Sequence, residues 1–115
     1  MYSERTLDHF RNPRNVGSLV PPAVTVEVTN PACGDMMRLS ARFEDGRVAE
    51  ARYQTRGCTA SIATGSALTE WMIGKSQPEL AAVTPAIVES LVDGLQLASK
   101  HAAMLCVDAV KKLIV

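Results

Sequence analysis

The stretch Met37-Arg38-Leu39-Ser40-Ala41-Arg42-Phe43-Glu44-Asp45-Gly46-Arg47-Val48-Ala49-Glu50-Ala51-Arg52-Tyr53-Gln54-Thr55-Arg56 decides the fold. In its first half apolar Met37, Leu39, Ala41 and Phe43 alternate with polar Arg38, Ser40, Arg42 and Glu44, the period of a half-buried strand. In its second half Ala49, Ala51, Tyr53 and Thr55 alternate with Glu50, Arg52, Gln54 and Arg56. Asp45-Gly46 between them is a hairpin turn, because glycine readily supplies a positive φ. Upstream, Val24, Val26 and Val28 alternate with Thr25, Glu27 and Thr29 and add a strand. The three form an antiparallel meander with one polar face.

A sheet of this kind requires helices over its apolar face. Before it, Ser3 to Arg11 forms a short helix with Leu7 and Phe10 on one face, ended by Asn12-Pro13. After it, Thr59 to Ile73 carries Ile62, Leu68, Trp71 and Met72, with Gly74 as a C-terminal stop. Ser76-Gln77-Pro78-Glu79 fits a capping box that opens a short helix. Thr84-Pro85 opens another, with Ile87, Val88, Leu91 and Val92 inward and Gly94 closing it. The last runs from about Ser99 to Ile114, with Ala102, Leu105, Cys106, Ala109 and Leu113 on its buried stripe. The expected fold is α+β: an N-terminal helix, a three-stranded antiparallel meander, then about four helices packed on one face.

The 115 residues fit one domain, residues 1–115, with no internal repeat. Hydrophobic residues at 47% and charged residues at 21% give a globular composition and exclude disorder as the main state. Twelve Lys and Arg balance twelve Asp and Glu, so no global field favours nucleic acid or an anionic membrane. No apolar run approaches the roughly 20 residues that cross a bilayer. Glu4, Arg5 and Asp8 rule out a signal peptide at the start, which makes a cytoplasmic location the expectation. Three widely spaced cysteines, Cys33, Cys58 and Cys106, argue against a disulfide framework and leave metal, redox or plain core roles.

Two of these cysteines sit where chemistry is easily placed. Cys33 and Asp35 lie in Pro31-Ala32-Cys33-Gly34-Asp35, a turn in which Gly34 lets thiolate and carboxylate face one point. Cys58 follows Gly57 where a strand ends and a helix begins, and a helix N-terminus favours an anion. His101 stands near the start of the last helix. Each also has a plain reading: a free cysteine is commonly a small buried hydrophobe, a histidine at a helix start a surface residue, an aspartate after glycine a turn former. The two glycine-flanked cysteines at loop-to-element junctions are what favour a soft-metal site, since structural thiols fall more naturally inside elements.

Several motifs together resemble the iron–sulfur scaffold family of IscU and the NifU N-terminal domain. They are Tyr2-Ser3-Glu4 with His9-Phe10-Arg11-Asn12-Pro13-Arg14-Asn15-Val16-Gly17, then Pro31-Ala32-Cys33-Gly34-Asp35-Met36-Met37 and Gly57-Cys58-Thr59-Ala60-Ser61-Ile62-Ala63. Leu68-Thr69-Glu70-Trp71, Gly74-Lys75-Ser76, Lys100-His101 and Asp108-Ala109-Val110-Lys111 continue the similarity along nearly the whole chain. The resemblance implies a non-enzymatic scaffold or carrier. It assembles a transient two-iron cluster and passes it to recipient apo-proteins, working with a cysteine desulfurase and without nucleic acid or membrane, as a monomer or weak oligomer. It implies Cys33, Asp35, Cys58 and His101 as the ligands.

One family position departs. The resemblance places a third cysteine directly after the histidine, and here that residue is Ala102. Cys106 lies about 6 Å further along a helix and about 140° from His101 around it, so both cannot face one metal from a regular helix. Its place on the apolar stripe favours a core role; a shifted ligand needs a distorted first turn. The missing cysteine puts sulfur acceptance in doubt, and Gln96-Leu97-Ala98-Ser99-Lys100 lacks the family's Leu-Pro-Pro-Val-Lys chaperone motif. Two thiolates, a carboxylate and an imidazole also suit tetrahedral zinc, and mixed Cys/His ligation also holds two-iron clusters. A zinc-holding persulfide acceptor and a degenerate binding module are therefore the alternatives.

Overall fold

The computed structural model describes residues 2–31 and 34–114. Helix α1 spans Glu4–Arg11 and is capped by Ser3, whose side chain accepts from the Thr6 amide. Strands β1 (Val24–Thr29), β2 (Met36–Glu44) and β3 (Arg47–Arg56) follow. Then come α2 (Thr59–Met72), α3 (Gln77–Ala81), α4 (Pro85–Ser90) and α5 (His101–Leu113). The strands pair antiparallel in the order β1-β2-β3, as the alternation predicts. Asp45 and Gly46 both take positive φ, 53° and 77°, which is the two-residue turn whose twist matches a hairpin. The capping box at Ser76 and Glu79 forms as expected, with both reciprocal hydrogen bonds.

Three local expectations are corrected. In α1 the buried residues are Thr6 and His9, whereas Phe10 is 38% exposed. The reason is polar anchoring to α2: His9 Nδ1 lies 2.7 Å from Ser66 Oγ, and the Arg14 amide donates to the same oxygen. Burial, and then the nearby Arg14, hold the His9 imidazole below its ordinary pKa. In β3 the alternation breaks near the turn. Arg42 pairs with Glu50 but Phe43 pairs with Val48, so Ala49 is a bulged residue and Val48 points into the core instead. Finally, the last helix begins at His101 and not at Ser99, because Leu97–Ser99 form a 3-10 turn.

Helix α2 also differs from an amphipathic reading. Its buried residues run from Ala60 and Ser61 through Ala63 to Thr69 and on to Met72, while Ile62 and Trp71 stay partly exposed. The helix is therefore a central element, packed against α1, β3, α4 and α5. Small residues make this possible. A Cβ on Gly65 would lie 2.5 Å from Tyr53 Cε2, so the helix approaches the sheet through that glycine. Tyr53 is locked in turn, its hydroxyl donating to the Ile62 carbonyl at 2.7 Å.

Loop residues 15–17 pair with β3, the Gly17 amide donating to the Tyr53 carbonyl and the Tyr53 amide to the Asn15 carbonyl. That pairing covers the β3 edge. Helix α5 crosses β1 and β2 on the sheet's inner side and closes the core with Leu105, Cys106, Ala109, Val110 and Leu113.

Candidate metal centre

Three chain segments end at one place. Asp35 stands just ahead of β2, in a loop closed by the Asn30 amide donating to the Asp35 carbonyl and the Gly34 amide to the Asn30 carbonyl. Gly34 takes φ 78°, the bend its position in the motif predicts. Cys58 is the N-cap of α2, and its carbonyl accepts the first helical hydrogen bond, from Ile62, at 3.1 Å. His101 is the first residue of α5, carried in by the 3-10 turn.

The donor atoms of Asp35, Cys58 and His101 all lie within 4.8 Å of one another. His101 Nε2 is 3.2 Å from Asp35 Oδ2 and 3.7 Å from Cys58 Sγ. Bonds of roughly 2.0–2.3 Å to one tetrahedral ion leave neighbouring donors roughly 3.2–3.8 Å apart. Both separations from His101 fall in that range, and the three donors together lie close enough to converge on a single ion. The side chains are 12% exposed for Asp35 and 29% for His101, so the cluster is partly buried and partly open to solvent.

Two further residues shape the cluster. A Cβ on Gly57 would lie 2.7 Å from both Cγ and Oδ2 of Asp35, so the carboxylate rests directly on the Gly57 backbone. The Ser61 hydroxyl donates to Asp35 Oδ2 at 2.7 Å and stands 3.5 Å from Cys58 Sγ. The sequence motif contains Ser61, yet residue-by-residue reading assigns it no part. The usable signal is its spacing, three residues after Cys58 and hence on the same helix face.

The sequence-predicted ligands are thus brought together for Asp35, Cys58 and His101. Cys33, the fourth, lies outside the described residues. Cys106 is fully buried in the core, where desolvation pushes its thiol up to about 12, with the Thr64 hydroxyl beside it acting in the opposite sense. Ala102 is likewise fully buried.

The family model described as the NifU-like N terminal domain matches residues 1–115. The chain is 39% identical to the iron–sulfur cluster assembly scaffold protein IscU 1 of Archaeoglobus fulgidus, over all of this chain and 75% of that protein. It is also 39% identical to the iron–sulfur cluster assembly scaffold protein IscU of Escherichia coli K12, over 98% of this chain and 91% of that one. Among solved structures, a candidate iron–sulfur cluster assembly scaffold of the SUF system from Fervidobacterium islandicum superposes with a TM-score of 0.79 at 18% identity. That superposition covers 99% of this chain and 96% of the other, and it shows the shared fold.

Proposed function

Because the chain belongs to the family of NifU-like N-terminal domains, we propose that it is an iron–sulfur cluster assembly scaffold or carrier. The carrying observation is the convergence of Asp35, Cys58 and His101, from three separate segments, on one half-open point. In this reading Cys33 joins them as the fourth ligand, and the cluster is cargo. A thiolate-rich mouth accepts iron and sulfide, and the single carboxylate and imidazole keep the binding exchangeable. A cysteine desulfurase supplies sulfur at the persulfide level, an external two-electron donor reduces it to sulfide, and recipient apo-proteins take the product. The role is non-catalytic. The match along residues 1–115 supports one scaffold domain, and no described helix is long and apolar enough to cross a membrane.

A second reading is favoured by the separations of His101 from Asp35 and Cys58, 3.2 and 3.7 Å, which match the donor spacing around one tetrahedral ion. In it the site holds zinc and the protein relays persulfide sulfur. Ala102, where the family resemblance expects a third cysteine, also bears on this choice, since it offers no sulfur ligand.

Anaerobic reconstitution of the full chain with ferrous iron and sulfide separates the two. The scaffold reading expects visible charge-transfer absorption and about two irons per chain, both lost in Cys58→Ala. A colourless product that retains stoichiometric zinc selects the second reading. Absence of both would discard the site.

A further inference from the structure

We propose that Ser61 is a positioning residue of this centre: its hydroxyl fixes the Asp35 carboxylate toward Cys58 and His101 and so sets how tightly the site holds a divalent metal. The inference rests on the reading of Asp35, Cys58 and His101 as metal ligands.

A buried helical serine or threonine commonly turns its hydroxyl back onto its own helix. Thr64 does so, donating to the Ala60 carbonyl at 2.7 Å, and Thr69 donates to the Ser66 carbonyl at the same distance. Ser61 lies in the same helix and is fully buried, but its hydroxyl reaches across to Asp35 on the other side of the centre. The bond is short at 2.7 Å, and burial removes the water that would compete for it.

One hydroxyl carries one proton. With that proton on Asp35 Oδ2, Ser61 has none to give Cys58 Sγ 3.5 Å away and can only accept from its protonated thiol, so its hold on a thiolate-ligated site is through Asp35. On the opposite side the carboxylate is pressed against the Gly57 backbone. Steric contact limits where the carboxylate sits, and the Ser61 hydroxyl contributes to which way it turns. Oδ2, the oxygen that Ser61 holds, is the one 3.2 Å from His101 Nε2. Removing the hydroxyl takes away the short contact to Oδ2 and loosens the carboxylate's orientation, a change that acts on the metal through Asp35.

The test is a double-mutant cycle on the full chain with zinc as the probe, affinities read by competition with a chromophoric chelator. Ser61→Ala is expected to weaken zinc binding about 10- to 100-fold, the usual effect of removing a partner that orients a ligand. In an Asp35→Ala background the same substitution is expected to change affinity less than about twofold, because the residue it acts through is gone. Cobalt(II) serves as a second readout: its d–d bands in Ser61→Ala are expected to move toward those of Asp35→Ala. Ser61→Thr, which keeps the hydroxyl, is expected to restore both readouts, and Ser61→Val, of equal shape without it, to restore neither.

A purely structural serine would lower the unfolding midpoint of the metal-free chain while leaving the cycle additive and the cobalt bands unmoved; that result overturns the proposal. Equal weakening in both backgrounds also overturns it, placing the effect outside Asp35. A wild-type chain that binds no zinc, or binds it as well without Asp35, overturns the ligand reading itself and this inference with it.

Discussion

Cys106 and Cys58 share a side-chain type and little else. Cys106 is enclosed among core residues of α5 and its thiol is pushed from an ordinary 9.0 up to about 12 by desolvation. Tyr53, also buried, is raised from 10.0 to about 12. Both groups ionise in the unfolded chain before they do in the folded one. Stability is therefore full below pH about 9 and falls as pH rises toward about 12. Cys106→Ala is expected to flatten that alkaline fall in urea titrations and to cost about 1 kcal/mol at neutral pH from lost packing. Its zinc stoichiometry should equal that of wild type; loss of metal with the fold intact would make Cys106 a ligand. Gly57 gives the converse case, a residue whose missing atom matters. It does not sit at a left-handed φ, so Gly57→Ala carries no backbone strain and its effect is the collision of the new Cβ with Asp35. That substitution is expected to weaken zinc at least about tenfold with little change in the metal-free melting midpoint.

At the scale of elements, α2 links core to site. Its N-terminus presents Cys58 and its middle packs on Tyr53 through Gly65. Propensity and packing oppose each other at that glycine. An alanine in a helix interior gains about 1 kcal/mol over glycine. Here its Cβ would lie 2.5 Å from a tyrosine ring that cannot swing away, because its hydroxyl is tied to the Ile62 carbonyl. Overpacking of this kind costs about 1–3 kcal/mol, so Gly65→Ala is expected to lower stability despite the better propensity. Chemical denaturation reads the sign directly. A stabilised variant would mean that α2 lifts off the sheet at little cost.

The whole molecule is what makes a centre out of residues 35, 58 and 101. One precedes a strand, one caps the central helix and one opens the last helix, with α3 and α4 between the latter two. A metal that binds only this assembled arrangement stabilises the entire fold, by about 2.7 kcal/mol when free zinc is 100 times its Kd. Thermal unfolding with and without zinc is expected to show a rise in midpoint that a chelator reverses and Cys58→Ala abolishes. A shift of equal size in Cys58→Ala would place the ion elsewhere on the surface.

Much of this was legible along the chain. Alternation in 37–44 and 49–56, with Asp45-Gly46 between, is enough to specify the hairpin to which the strand at 24–29 adds, because strand period and turn chemistry are local properties. The placement of Asp35 and Cys58 at glycine-flanked junctions and of His101 at a helix start was legible too, since functional side chains collect at element ends where backbone bends are cheap. Only the tertiary structure decided the rest. The bulge at Ala49 that turns Val48 inward answers to the register of the partner strand, which the alternation cannot see. The polar buried face of α1 answers to Ser66, far along the chain. The contacts of Ser61 and Gly57 with Asp35 exist only because folding brings a carboxylate from another segment to within 2.7 Å of a helix hydroxyl and rests it on a glycine backbone. Sequence periodicity records what each segment does for itself; contacts between distant segments, and the chemistry they create, are set by packing.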